Sequence, residues 1–576
     1  MSDIYDKVKQ KAEAWLAGNY SEESKKDVKN LLEKDKDGLI DAFYKDLEFG
    51  TGGLRGIMGF GTNRMNIYTV GMAAQGLANY TKKQFPNTEL KMAVAYDCRN
   101  NSELFAKTCA DIFSASGFKV YLFDSLRPTP ELSYAIRYYG CQTGIVLTAS
   151  HNPKEYNGFK AYWDDGSQLV PPHDVNVISE VNKLTVDDVK FNGIAENIEL
   201  ISKEIDEAFL NEVKALSLNP DIIAKHSDLK IVYTPIHGTG STLIPESLRR
   251  YGFTNIIDVP EQNIISGDFP TVVYPNPEET EAMSMAVAKA KETNADLAMA
   301  SDPDADRVGM AVKNLKGEYE LLNGNQTGAL LVNYLVENWI KNGKIKGNEY
   351  IIKTIVTTEL LADIATKNGI EYYDTLTGFK NIAIVIREQE GKKTYIGGGE
   401  ESYGYLIGDY VRDKDAVSSC SLIAELTAVA KDNGRTVFEE LIEIYKKYGF
   451  YKEKLVYIVR KGMQGGEEIK EMMVNFRNNP PKTIDGSKVV MIKDYQSSET
   501  KYLISGETSK IDIDKSNVLQ FYTEDGTKIS VRPSGTEPKI KFYFSVKTEL
   551  NSVNEYEAKN AELESKIDAI VADLKL

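Results

Sequence analysis

The stretch Thr148-Ala149-Ser150-His151-Asn152-Pro153 sets a hydroxyl beside an imidazole, with Lys160 shortly after it. The apolar run Gly144-Ile145-Val146-Leu147 in front reads as a buried strand, and Pro153 with the pair Asn157-Gly158 predicts that the chain turns at once. A serine on a stiff turn at a strand's carboxyl end stands where open α/β sheets place their ligands. Ser150 is then a candidate nucleophile with His151 and Lys160 at hand, although alone the string reads as a serine capping its own turn. A second stretch, Ser301-Asp302-Pro303-Asp304-Ala305-Asp306-Arg307, also follows an apolar run. Carboxylates at alternate positions of an extended segment share one side. Three of them, with no Cys or His, suit a hard cation and specifically Mg²⁺. Without such an ion the string is a solvated acidic turn; an EF-hand is excluded by the absence of Gly and Glu at their required places after Asp302. Arg307 supplies a fixed cation suited to a phosphate oxygen. A serine nucleophile and a triple-aspartate loop together point to phosphoryl transfer through a phosphoserine.

Three further stretches carry polar groups at useful spacing. Gly52-Gly53-Leu54-Arg55 pairs backbone freedom with a guanidinium, though on its own the pattern reads better as a tight turn with a surface arginine. Gly399-Glu400-Glu401-Ser402 sets a carboxylate and a hydroxyl two residues apart, as neighbouring sugar hydroxyls would require, or as the end of a polar hairpin would show. Arg532-Pro533-Ser534-Gly535-Thr536 combines a guanidinium, two hydroxyls and a glycine-centred turn, either an anion nest or a plain β-turn.

The Thr-Ala-Ser-His-Asn-Pro and Asp-Pro-Asp-Ala-Asp-Arg loops, in this order, resemble those of the α-D-phosphohexomutases, the family of phosphoglucomutase and phosphomannomutase. The resemblance runs from about residue 49 to the end. It implies that phosphorylated Ser150 exchanges its phosphoryl group with a sugar phosphate, and that Asp302, Asp304, Asp306 and a phosphoserine oxygen on Ser150 hold Mg²⁺. By the same resemblance Arg55 lies beside the phosphoserine and Lys160 is a general acid/base or electrostatic group. Thr377, Gly378 and Lys380 form a substrate loop, Glu400 and Ser402 meet sugar hydroxyls, and Arg532, Ser534, Gly535 and Thr536 grip the phosphate that is not being transferred. His151, next to the nucleophile, is placed to assist proton transfer; His173, His226 and His237 are expected to do no catalysis. Glucose 1,6-bisphosphate is the implied intermediate and activator.

At 576 residues the chain is too long for one core, and three to five domains are expected. Its 42% hydrophobic and 27% charged residues are those of an ordinary globular protein. A net charge of −16 argues against nucleic-acid and anionic-membrane partners while leaving room for a locally basic, phosphate-binding cleft. The four cysteines show no metal or redox spacing, the polar start lacks a signal-peptide core, and no run is long enough to span a bilayer. A cytoplasmic enzyme acting on a phosphosugar is expected, as a monomer or homodimer.

The elements that must position these groups are legible in outline. Residues 1–46 read as a helical arm. Strands alternate with helices from Lys91 to Ser150, with Leu104, Phe105, Ile112 and Phe113 as the apolar positions of the helix Glu103 to Gly117 and a turn at Arg127-Pro128-Thr129-Pro130. The theme recurs twice, ending on the Asp302 loop and on the Glu400 loop. The fold class expected is α/β: three similar βα domains with mixed, mostly parallel sheets around a shared cleft (47–210, 211–322 and 323–450), plus a C-terminal α+β domain (451–576). The function read from this is a mutase interconverting glucose 1-phosphate and glucose 6-phosphate, with mannose and then pentose as alternative sugars. The arm and the glycine-rich entry resemble the phosphoglucomutase-2 branch, which includes phosphopentomutases. A metal-dependent sugar phosphatase is the rival of a different class, and a serine hydrolase is disfavoured because no G-x-S-x-G elbow surrounds Ser150.

Overall fold

The computed structural model describes residues 2–50, 52–460, 462–534 and 539–576. The amino-terminal arm comprises the helices Ser2–Ala17, Glu22–Lys34 and Lys36–Phe43. Ser21 and Asp35 cap the second and third, their side-chain oxygens accepting backbone N–H groups of Ser24 and Gly38. The arm folds around Trp15, whose indole donates to Ser24 Oγ at 2.6 Å. With Phe43 and Val28 it packs against Tyr68, on the helix Ile67–Gln84.

Three sheets follow, each with parallel strands at its centre. The first has the order Gly53–Ile57, Tyr156–Trp163, Thr143–Leu147, Lys91–Tyr96, Lys119–Phe123, Ile198–Ile201. Its last three pairings are parallel and its first two antiparallel. The second centres on Ile231–Thr234, flanked in parallel by Ile256–Asp258 and Leu297–Ser301, and the third on Glu349–Thr354, flanked in parallel by Glu371–Thr375 and Thr394–Gly399. Both then add antiparallel strands after the Asp302 and Glu400 loops. The central strands are buried along their length, as sheets covered by helices on both faces must be. The fourth unit is an antiparallel sheet in which the long strand Lys539–Thr548 alternates buried and half-buried positions beside Phe450–Val459, with the helix Tyr556–Asp573 against them. The expected α/β class, with mixed and mostly parallel sheets and a C-terminal α+β unit, is what the chain adopts.

Several local expectations are corrected. Asn157 and Gly158 lie inside the strand Tyr156–Trp163, not in a turn. Glycine is needed there because a Cβ would stand 2.3 Å from Thr148 O. Thr129 and Pro130 open the helix Thr129–Tyr139, since a proline in the first turn loses no hydrogen bond. Leu104, counted as an apolar face position, is 51% exposed, because the helix Ser102–Ala115 turns Phe105, Cys109 and Ile112 inward instead.

The loop after Ile231–Thr234 lies under the aspartate loop. Thr239 donates to Pro303 O through both its amide (2.8 Å) and its hydroxyl (2.9 Å). A Cβ on Gly238 would meet Pro303 Cα at 2.4 Å. Gly238→Ala must therefore push the aspartate loop aside, and should cost about 1–3 kcal/mol in chemical denaturation; wild-type stability in this variant would show that the packing is looser than described.

Candidate active site

Ser150 follows the strand Thr143–Leu147 and takes a left-handed backbone conformation, φ +51°. A non-glycine residue in that region costs on the order of 1–2 kcal/mol, so neighbouring contacts must hold it there. The Ser150 amide donates to Thr148 Oγ1 at 2.8 Å. Arg99 does most of the work from beneath. Its guanidinium donates to the carbonyls of Ser150 (2.6 Å), Asn152 (2.5 Å), Pro153 (2.9 Å) and Tyr156 (3.0 Å). Asp97 Oδ2 stands 3.4 Å from Arg99 Nε, and both side chains are fully buried. Sequence reasoning missed Arg99: only the acid and base two apart after a strand signalled it, and that is common.

The aspartate loop converges for a reason other than alternation. Residues 302–306 form a tight turn with Ala305 at φ +49°, and Asp302 Oδ1 closes it by accepting the N–H groups of Asp306 and Arg307, both at 3.0 Å. One carboxylate oxygen from each of Asp302, Asp304 and Asp306 falls within 4.8 Å of the others. Asp302 Oδ2 accepts from Ser150 Oγ at 2.8 Å, which joins the two loops directly. Asp304 Oδ2 accepts from Thr129 Oγ1 (2.9 Å) and Lys160 Nζ (2.7 Å). The remaining oxygens, Asp304 Oδ1 and Asp306 Oδ1, are buried and accept no hydrogen bond from the described residues. Orphaned anionic oxygens beside a buried hydroxyl fit a hard divalent cation. Burial, with Asp304 and Asp306 close by, pushes the Asp302 carboxyl well above the usual range. Burial also opposes ionisation of Asp304, but the Lys160 ammonium outweighs it and holds that carboxyl down. For Asp306, burial and Asp304 are overcome by Lys414 and Lys160. Only a further cation lets all three ionise together.

The other expected groups surround this pair of loops. Lys160 reaches Asp306 Oδ2 at 3.3 Å as well as Asp304. His151 Nδ1 lies 3.2 Å from Ser150 Oγ. Burial and the nearby Arg307 and Arg55 guanidiniums keep its imidazole well below its ordinary pKa, hence neutral. Arg55 Nη1 donates to Asn152 Oδ1 at 3.1 Å, and Arg307 Nε stands 3.8 Å from Asp306 Oδ1. A cation that sequence reasoning missed completes the ring: Lys414 Nζ lies 3.1 Å from Asp306 Oδ2 and 2.9 Å from Asp413 Oδ1. The run Arg412-Asp413-Lys414-Asp415 reads as a solvated charged face, yet none of its residues is more than 8% exposed.

All four units line one cavity of about 570 Å³, on whose wall Arg55, Ser150, His151, Lys160, Asp306 and Arg307 face Thr377, Gly378, Glu400, Ser402 and Arg532. Glu400 Oε1 accepts the Gly378 amide at 2.7 Å, which ties the two expected sugar loops together. Glu401 is held by the hydroxyls of Thr354 and Thr357, each at 3.1 Å. Lys380 stands outside the wall on the helix Phe379–Gln389, half-buried, its ammonium pKa lowered by burial. On the C-terminal sheet Arg532 pairs in register with Lys541, which also lines the cavity. Burial, then Arg532 and Lys539, lower the Lys541 pKa, the mark of a patch short of negative charge. The Ser534 amide donates to Lys539 O at 2.7 Å; Gly535 and Thr536 lie outside the described residues.

Four domain descriptions of phosphoglucomutase/phosphomannomutase match in order: alpha/beta/alpha domain I over residues 46–187, domain II over 207–317, domain III over 323–448 and the C-terminal domain over 473–563. A phosphoglucomutase of Staphylococcus haemolyticus is 37% identical over 537 residues, covering 90% of this chain and 96% of its own length. One of Staphylococcus aureus strain MRSA252 is 38% identical over 525 residues, with 90% and 93% covered. Among solved structures, the open form of pp63/parafusin from Paramecium superposes with a TM-score of 0.67 at 18% identity, covering 92% of this chain and 96% of that one. A phosphoglucomutase/phosphomannomutase family protein of Burkholderia thailandensis gives 0.65 at 18% identity, covering 91% and 97%. These two likenesses speak for the fold.

If the orphaned carboxylate oxygens hold a divalent ion, Mg²⁺ at a hundredfold its dissociation constant should stabilise the chain by about 2.7 kcal/mol. Thermal unfolding with and without Mg²⁺ reads this, and Asp302→Asn should abolish the difference. An equal rise in both proteins would place the ion elsewhere.

Proposed function

The chain belongs to the phosphoglucomutase/phosphomannomutase family, and on that premise we propose that it interconverts glucose 1-phosphate and glucose 6-phosphate through a phosphoserine at Ser150 and a bound glucose 1,6-bisphosphate. The observation that carries this reading is the hydrogen bond from Ser150 Oγ to Asp302, made in a cavity whose far wall bears Arg532 and Lys541. One wall presents a transferable group and the other a cationic clamp, as a reaction needs when its substrate carries a phosphate at either end.

Asp302, Asp304, Asp306 and the Ser150 oxygen would hold Mg²⁺, which offsets charge on the transferring phosphoryl group. Lys160, Lys414 and Arg307 surround the same spot, and their fixed positive charge favours a group whose charge spreads over its oxygens during transfer. His151, neutral and 3.2 Å from Ser150 Oγ, is placed to accept the proton released there and to return it. Glu400 and Ser402 present a carboxylate and a hydroxyl to the sugar, with the Gly378 amide fixing the carboxylate's direction. Arg532, Lys541 and the stretch beginning at Ser534 would take the phosphate that stays in place. Turning the bisphosphate end for end would exchange the two phosphates between these places.

Every group in this scheme comes from one chain, which suits a monomer or a homodimer alike. The four cysteines are free, in keeping with work in the reducing cytoplasm. Supplied with glucose 1-phosphate and a trace of glucose 1,6-bisphosphate, the protein should form glucose 6-phosphate much faster than it releases inorganic phosphate. Ser150→Ala should lower the exchange by about 10⁴-fold or more. Phosphate release without isomer exchange would make it a phosphatase and end this reading.

A further inference from the structure

The Lys414 ammonium is placed at the junction of three sheets by very little of its own surroundings. Its stem runs over Gly404, where an added Cβ would lie 2.1 Å from Lys414 Cδ, and its Nζ passes 5.5 Å from the centre of the Phe379 ring. Neither contact fixes where the charge points. Asp413 does that, with Oδ1 accepting both the Lys414 amide at 2.8 Å and Nζ at 2.9 Å. Asp413 is itself buried, and its second oxygen accepts from Tyr162 Oη at 2.6 Å.

Tyr162 is fully buried and stands two residues beyond Lys160 on the strand Tyr156–Trp163, so both side chains leave the same face of the first sheet. Its ring is fixed among Ala95, Leu132, Ile136 and Val146, and burial beside Asp413 raises its phenol pKa well above the ordinary value, keeping the proton on the oxygen. The result is a closed loop of contacts. Tyr162 orients Asp413, Asp413 aims Lys414 at Asp306, and Asp306 meets Lys160, which returns to the strand that carries Tyr162.

The geometry points to Tyr162 as a positioning residue that acts through Asp413 to hold the Lys414 ammonium against the phosphoryl-transfer centre. This rests on the mutase reading above. Tyr162 does not itself line the cavity, and its side chain's hydrogen bond goes to Asp413, so the hydroxyl is what links it to the site. Removing that one atom leaves the ring's packing intact and leaves Asp413 Oδ2 without its buried donor. The carboxylate then turns toward other donors and releases Lys414, weakening charge stabilisation during transfer while substrate contacts on the far wall stay as they were.

The test is steady-state kinetics of glucose 1-phosphate isomerisation by the full chain, with thermal unfolding, for wild type, Tyr162→Phe, Asp413→Asn and the double variant. Tyr162→Phe should lose about tenfold in kcat with KM within about twofold, and its melting temperature should fall by no more than about 5 °C, the cost of one buried hydrogen bond. Asp413→Asn should behave alike, and the double variant should be no slower than the slower single one, since both remove the same link. The inference is overturned if Tyr162→Phe keeps wild-type kcat, if its loss is matched by a rise in KM, if the variant is largely unfolded at the assay temperature, or if the two losses multiply. A wild-type protein without isomerase activity would instead overturn the mutase reading itself, and the inference with it.

Discussion

Three carboxylates buried side by side are the constraint around which this protein is arranged. Asp302, Asp304 and Asp306 are 0%, 0% and 1% exposed, and a cluster of that kind cannot ionise without nearby positive charge. The second sheet, which carries them, supplies Arg307 next in sequence and the backbone N–H groups of the loop itself. The remaining compensation arrives from other units: Lys160, Thr129 and Ser150 from the first, Lys414 from the third. Docking of the first three units and neutralisation of the cluster are thus one event. The groups that dock them are also the groups that chemistry at Ser150 would use.

What the sequence revealed of this site follows from the range of the interactions involved. Ser150 and the aspartates are set by their own loops, so a few adjacent residues announce them. The convergence of the aspartates was nonetheless expected for the wrong reason, because alternation in an extended strand and a turn through Ala305 give the same residues the same neighbours. Arg99 escaped notice because its partners are backbone carbonyls far along the chain, and a carbonyl leaves no mark on residue identity. Lys414 and Asp413 escaped because a charged run is ordinarily solvated; only the meeting of three sheets buries this one. The glycine at 158 misled in the opposite direction, since close approach to Thr148 O needs the same residue as a turn does.

The larger plan was easier to read. Strand–helix alternation survives any substitution that keeps the apolar pattern, and it predicted three α/β units and a separate α+β end without appeal to contacts. The details it lost were those in which a polar group is satisfied from a distance.

The fourth unit is bound differently, and its mode of attachment bears on how the cavity works. This unit reaches the third through the helix Val437–Tyr448, where Phe438 meets Tyr556 and Tyr445 stacks on Phe450, and through the loop after Glu349–Thr354. Gln520 Nε2 and Lys528 Nζ donate to Ile355 O at 2.6 and 2.7 Å, and Lys528 pairs with Glu359, which also meets the buried Lys353 at 3.2 Å. A small apolar cluster of Ile355, Val356, Tyr495, Ile511 and Val518 completes the contact. Val356 and Thr357 on that same loop line the cavity, and Thr357 holds Glu401 beside Glu400, which also lines it. A displacement of the C-terminal sheet therefore pulls on the residues that shape the opposite wall. Arg532 and Lys541 on the C-terminal sheet and the Glu400 loop on the third unit are thus linked through one short loop, so under the proposed reaction a phosphate held by the first pair would bear on the wall that meets the sugar.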